Sequence, residues 1–543
     1  MNLQVISAAI VLAILAPCAM AQEGSRFSRA TFVADVTPPA SHPPQAGEPL
    51  FQASANIDFG ADVGQDFGTL FEVRDKERRV ILGAGFPSIF NTCVRLDRFA
   101  LQFYVRPTKT AEAEKVLLPR PSPISHQSVQ DCEGQLYSWT YHLDKTVRRW
   151  DGSAKQWRED PILEKNKNIF GDGFLRVAGK LLVYQDSQAW YGGKLILSKP
   201  AVGSYSTFYY AHGRLFFYYT QREVKNGFTK ILAAPWKPGQ AKVDIDAATI
   251  LSARVSGETT FTWGQLGPKV LTVSNHGNVY VFDGTSWQVL RKNVPGKSYQ
   301  VYSAVNYHGD LLLGHYPTGR LLRYDGKTIV EMKDSPPVLP GVAGYSREAQ
   351  STMLYRGDLY VGVWPWAELW RYERDTKQWS LAERMFTRPA LTDRFGHPFQ
   401  KEIQEHLQST KANLAINDWG QRVCGLAPWR GALMIATSAK GPMAHDRQLS
   451  FLTDEVYAEY GRVWQYHLPG HLSVPVEYRK NATRIQCLLH RDRLEVLQDG
   501  KLIGTTAIEP GLLSDLRPAS ITWADGMYGR SACKLSEKAS TLP

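Results

Sequence analysis

The chain has 543 residues, with 63 Lys and Arg against 52 Asp and Glu for a formal net charge of +11, and it is 43% hydrophobic and 11% aromatic. That apolar content excludes a wholly disordered chain, and Gly and Pro scattered without a period exclude collagen-like sequence. The basic residues fall in short sets such as Arg78-Arg79 and Arg148-Arg149 rather than in a stripe, so acidic partners are favoured and no nucleic-acid partner is expected.

At the start of the chain an apolar run from Val5 to Leu15 is followed by Pro17, Cys18 and the small-residue exit Ala19-Met20-Ala21. This reads as a signal peptide, residues 1–21, cleaved near Ala21, which makes the mature chain secreted or periplasmic. Removing it takes no charge away. No later stretch is long and apolar enough to span a membrane. Residues 22–57, with Thr37-Pro-Pro39 and His42-Pro-Pro44, form a Pro-rich lead-in without periodicity. Five cysteines stay in the mature chain, and none forms a C-x-x-C pair. A structural zinc site of the usual spacing is therefore not expected, Cys93 and Cys132 are a candidate bridge, and any unpaired thiol is expected to be a buried small hydrophobe.

Farther along, one phrase recurs. A Gly after a polar turn opens an alternating apolar strand, and a second strand follows that ends in an aromatic and an acid. Gly309-Asp-Leu-Leu-Leu-Gly314 leads to Leu321-Leu-Arg-Tyr-Asp325, and Gly357-Asp-Leu-Tyr-Val-Gly362 leads in the same register to Leu369-Trp-Arg-Tyr-Glu373. Further copies begin at Gly134 and Gly277, and looser ones at Gly179, Gly213 and Gly431. In three copies a Trp follows the acid: Trp150 with Trp157, Phe282 with Trp287, and Tyr372 with Trp379. Starts about 50 residues apart, with period-2 alternation, match a four-stranded blade that cannot bury its faces alone.

In these phrases the chain resembles kelch-like and WD-like β-propellers, although it lacks the paired glycines of the first and the Trp-Asp ending of the second. The resemblance implies an all-β fold, a β-propeller of four-stranded blades, seven in number, over residues 58–464. It says nearly nothing about chemistry. Residues 383–418 interrupt the pattern and carry a helical insertion around Gln400–Lys411, a candidate lid with His397 and His406. Residues 465–543 read as a C-terminal β extension. Its strands faintly resemble the last ones of laminin-G-like sandwiches but are too few for a whole one, so packing on the ring or closing it is expected.

No nucleophile elbow, zincin motif, phosphate loop or dinucleotide fingerprint is present, so neither cofactor nor metal is expected. Candidates come from geometry instead. The turns between second and third strands share one face of a propeller, and those tips are rich in Trp, Tyr, His, Arg and Lys where hairpins usually carry Asn, Gly, Asp and Ser. Tyr141, His142, Trp190, Trp364, Trp366, Lys440 and His445 are the expected substrate-binding set, since a flat ring stacks on a sugar and a neighbouring cation selects a carboxylate or sulfate. His315, Tyr316 and Arg320 are the catalytic candidates, because elimination from a uronate needs a base and a cation on the carboxylate. The expected partner is an acidic polysaccharide or oligosaccharide, bound at these tips and, if the face is catalytic, cleaved by a lyase reaction. A glycoside hydrolase would instead need paired carboxylates, for which the tips offer Asp186, Glu368 and Asp446 without an obvious pair. A third reading is a non-catalytic platform, lectin-like or docking a protein partner through its aromatic tips.

Overall fold

The computed structural model describes residues 48–541, apart from 61–62, 93–97, 107–111, 141–146, 160–173, 223–226, 295–299, 389–404, 406–407, 409–417, 442, 510 and 515. The expected signal peptide, most of the Pro-rich lead-in, Cys93, Tyr141, His142, His397 and His406 therefore lie outside the described residues, as does the insertion's helical stretch apart from Glu405 and Gln408. No helix among the described residues is long and apolar enough to cross a membrane.

The molecule is all-β, and its main body is a β-propeller of four-stranded blades. Six runs of four consecutive strands form antiparallel sheets: blade 1 (128–159), blade 2 (174–197), blade 3 (204–252), blade 4 (260–291), blade 5 (301–331) and blade 6 (348–384). Blade 7 takes three strands from 422–467 and its outermost strand, Glu114–Leu118, from the chain ahead of blade 1, with Val463 opposite Leu118. Apolar clusters bridge neighbouring blades. Tyr209 and Phe216 of blade 3 pack with Trp263 of blade 4, for example, and Val129 of blade 1 packs with Cys424 of blade 7.

The recurring phrase now has a physical account. Its opening glycine sits in a tight turn whose two central residues both have positive φ, His308 (49°) with Gly309 (84°) and Arg356 (50°) with Gly357 (79°), the geometry that matches strand twist in a two-residue hairpin. Its acid accepts backbone N–H groups in the next turn, as Asp325 Oδ1 does from Lys327 at 2.8 Å and Thr328 at 2.7 Å. Its trailing Trp lies directly across the sheet from its aromatic, with centroids 5.2 Å apart for Trp150 and Trp157, 5.3 Å for Phe282 and Trp287, and 4.9 Å for Tyr372 and Trp379.

Outside the ring the structure departs from the expectation. Five early strands, β1 (Phe51–Ile57), β2 (Gly68–Arg74), β3 (Val80–Phe86), β4 (Ile89–Asn91) and β5 (Ala100–Val105), belong to no blade of their own. β1 lies between strands Thr483–Leu489 and Leu535–Thr541 in one five-stranded sheet; β5, β3 and β2 run in order between His471–Pro475 and Ser520–Trp523 in the other. The two sheets share one core, with Phe51, Phe71, Leu82, Phe103, Ile485 and Val496 all buried. A whole β-sandwich is thus assembled, because the early strands supply what the C-terminal segment lacks. Cys487 and Cys533 are buried in it, and burial pushes their thiols up, Cys533 to about 12.

The sandwich covers one face of the ring. First-hairpin turns of the described blades meet it: Gly134 faces Pro475, Gly179 faces Tyr478, Gln65 donates to the Tyr210 carbonyl at 2.8 Å, and Gly267 donates to Asp66 at 3.3 Å. His308 donates to the Met527 carbonyl at 3.0 Å, Arg106 pairs with Asp358 at 3.0 Å, and Ser473 donates to the Arg430 carbonyl at 2.6 Å. Asp66, fully buried there, has its carboxyl pushed up to about 7 by loss of water. β4 goes further and enters the channel, adding a fifth strand to the inner edge of blade 5 with Ala304 opposite Phe90.

Candidate functional site

With one face occupied by the sandwich, the face carrying the second-to-third turns and the links between blades is the one that no described strand of the sandwich covers. The innermost strands bring their first residues to this face, and most carry a bulge there. Register shifts fall between Ser206 and Tyr209, Thr260 and Trp263, Val301 and Ser303, Ala349 and Ser351, and Val423 and Gly425. A bulge re-aims side chains at a strand end. Tyr302, in the blade 5 bulge, stacks on Phe261 of the blade 4 bulge, with centroids 5.2 Å apart and planes at 15°.

Two of the predicted residues join a charged cluster beside this stack. Glu348, closed to solvent, accepts from Arg422 Nη2 at 2.6 Å and lies 3.7 Å from Lys440 Nζ. Lys440 sits over the Trp364 ring at 5.5 Å, and Arg422 over Tyr302 at 5.9 Å. Burial pulls the Lys440 ammonium pKa down, against the pull of Glu348. Tyr316 meets Tyr302 edge-on at 6.5 Å, so the turn of blade 5 and the cluster between blades 6 and 7 share one wall.

His315 ends the second strand of blade 5 and is 8% exposed. Its Nδ1 is 2.9 Å from the Thr318 hydroxyl, and its pKa is pushed down to about 4 by burial and, second, by the charge of Arg291. The ring is therefore neutral at ordinary pH. Arg320, two residues past Thr318, is exposed and pairs with Glu331.

The remaining candidates are spread around the ring. Trp364 and Trp366 are 2% and 1% exposed, so neither offers an open face to a sugar: Trp364 lies against Gly420, and Arg384 covers Trp366 at 5.3 Å. Trp190 packs toward blade 1 with Tyr137 and Trp139. His445 stacks on Tyr457 at 4.4 Å and makes a 2.7 Å bond with the Leu452 carbonyl, bracing helix α1 (Asp454–Tyr457). Among the hydrolytic carboxylates, Glu368 is buried and taken up by Arg347 at 3.0 Å and Trp370 at 2.6 Å, while Asp446 accepts from the backbone of Gln448 at 2.9 Å. Among the described residues no three His, Cys, Asp or Glu side chains gather as metal ligands.

Sequence reasoning passed over Glu348, Arg422, Tyr302 and Arg291. The available signal was the tripeptide Trp419-Gly-Gln421, which lies just ahead of Arg422 at the start of its strand; Arg347 and Glu348 hold the corresponding place in blade 6.

No protein-family model and no curated protein matches the sequence. Among solved structures the chain is similar to the computationally designed Ika8 protein at 11% identity, over 65% of this chain and 98% of that one, with a TM-score of 0.35. It is similar to YCF48 bound to D1 peptide at 13% identity, over 50% and 99%, with a TM-score of 0.24. A third similarity is to YjhT at 8% identity, over 70% and 99%, with a TM-score of 0.26.

Proposed function

We propose that this chain is an exported, seven-bladed β-propeller whose uncovered face binds an acidic polysaccharide or oligosaccharide. In this reading residues 114–467 form the ring, and the two flanking segments form a sandwich that serves as its base. Export rests on the segment ending at Ala21.

The observation that carries the reading is the unequal use of the two faces. The sandwich meets the first-hairpin turn of every blade and sends β4 into the channel, so a ligand has the other face to engage. That face carries Arg291 and Arg320, with Arg422 and Lys440 held by Glu348, and the part-exposed Phe261 and Tyr316 rings against buried Tyr302. Aromatic surface next to cations suits the apolar side of a sugar bearing a carboxylate or sulfate.

Binding is favoured over cleavage. A histidine whose pKa lies near 4 is a weak base, with little drive to take a carbon-bound proton at neutral pH. Glu368 is committed to Arg347, which weakens the hydrolase reading further.

Calorimetric titration with polygalacturonate, heparin and neutral dextran, each at low and high salt, tests this. The acidic chains should bind, more weakly as salt rises, while dextran does not, and no unsaturated uronate should accumulate. Growth of its absorbance would establish elimination instead. Binding of none of the three would overturn the saccharide reading in favour of a protein partner.

A further inference from the structure

Blades 4, 5 and 6 each end their fourth strand on a charged residue at the uncovered face, and two of the three charges are accounted for. In blade 5 Glu331 takes the Arg320 guanidinium. In blade 6 Arg384 lies over Trp366 and donates to Gln421 Oε1 at 3.3 Å. In blade 4 the residue is Arg291, opposite Val279 at the start of the third strand. It is half-buried, its Nε is buried without a hydrogen bond, and no carboxylate pairs with it among the described residues. Burial alone pulls its pKa down.

A guanidinium stripped of much of its water, with neither a carboxylate nor a ring against it, is costly to keep. The cost is recovered if an anion arrives from outside, and a planar fork of donors fits the two oxygens of a carboxylate or sulfate. His315 ends the second strand of the next blade on the same face. With Nδ1 engaged by Thr318, the Nε2 of His315 has no partner among the described residues. Tyr316 follows it, and Arg320 forms the outer rim.

We infer that the edge of this face where blades 4 and 5 adjoin is its anion subsite, with Arg291 binding the carboxylate or sulfate group of the ligand and His315 Nε2 supplying a second, uncharged contact. The assignment rests on the acidic-saccharide reading for the identity of the ligand, but not for the existence of the subsite. It replaces Arg320 by Arg291 as the principal cation, since Arg320 is exposed and already paired.

The test is calorimetric titration of the full chain with sodium sulfate at constant ionic strength, beside the polygalacturonate and heparin titrations. Wild type should take up sulfate saturably. Arg291→Gln should lose at least tenfold in affinity for sulfate and for the acidic chains, and His315→Gln should lose severalfold. Arg291→Lys, which keeps charge but not the fork, should fall between and carries the test if Arg291→Gln does not fold. Sulfate uptake without glycan binding would keep the subsite and sink the saccharide reading. Acidic chains bound equally by wild type and Arg291→Gln would keep that reading and overturn this assignment, as would the absence of saturable sulfate uptake.

Discussion

Asn91 clasps the backbone of Thr352, donating from Nδ2 to its carbonyl and accepting its N–H at Oδ1, both at 3.0 Å. The two residues come from different bodies, Asn91 from the sandwich's channel strand and Thr352 from the innermost strand of blade 6. Both are buried, so the pair works where water cannot replace it. Asn91→Ala should leave two buried backbone groups unsatisfied and cost about 2 to 4 kcal/mol. Chemical denaturation monitored by tryptophan fluorescence would measure it; a loss under about 0.5 kcal/mol would mean that the channel strand is held by its backbone pairing alone.

Acid should weaken the fold through His315. Its pKa is about 4 folded against 6.5 for an ordinary histidine, so between those values the unfolded chain binds the proton more readily. Stability is therefore full above pH 6.5 and falls as pH drops toward 4, by about 3 kcal/mol for this group. His471, pushed down to about 3 by burial, adds to the loss in the same direction. A series of unfolding curves from pH 7 to pH 4 should show a shallower decline in His315→Gln than in wild type. Equal declines would mean that His315 reaches water far more freely than its burial implies.

Glu348 holds two cations at the mouth, and its removal is predicted to be expensive. Glu348→Gln leaves Arg422 and Lys440 facing each other without a counter-charge in a buried setting, a loss of about 3 to 5 kcal/mol. The double change Glu348→Gln with Arg422→Met should recover part of it. A single variant as stable as wild type would show that the cluster is open to solvent and that its cations are free for a ligand.

The blades were legible because each is a local object. Turn glycine, capping acid and cross-strand Trp fall within one hairpin of each other, so Gly357, Glu373 and Trp379 can be read together without knowing the fold. The sandwich left no such mark. Phe51 pairs with Leu489, and Phe71 with Trp523, and nothing near either end of those pairs announces its partner. The sequence alone accordingly places β1 in the lead-in, β2 to β5 in the ring, and the C-terminal hairpins in an addition upon it. At the site, the turn of His315, Tyr316 and Arg320 was legible from the repeat. Two matters were not. Tip aromatics such as Trp364 and Trp366 turn inward, because an indole buries more apolar surface between blades than at a tip. The charges that line the mouth come from strand starts and ends, where a Gln-Arg or Arg-Glu pair looks like any polar strand boundary.

The pairing of β1, β2, β5 and Glu114–Leu118 with strands from the far end of the chain also sets an order in time. These segments are synthesised first, yet their partners emerge last, after six blades have been made. At about 5 to 20 residues per second the early strands wait on the order of tens of seconds with open edges. The blades can mature one after another by local closure, whereas the ring's final seam and the base beneath it are non-local contacts of the slow kind. Loss of the last strand, Leu535–Thr541, would thus strip β1 of a neighbour laid down at the beginning, and damage at the very end of the chain should be felt as a failure to complete its start.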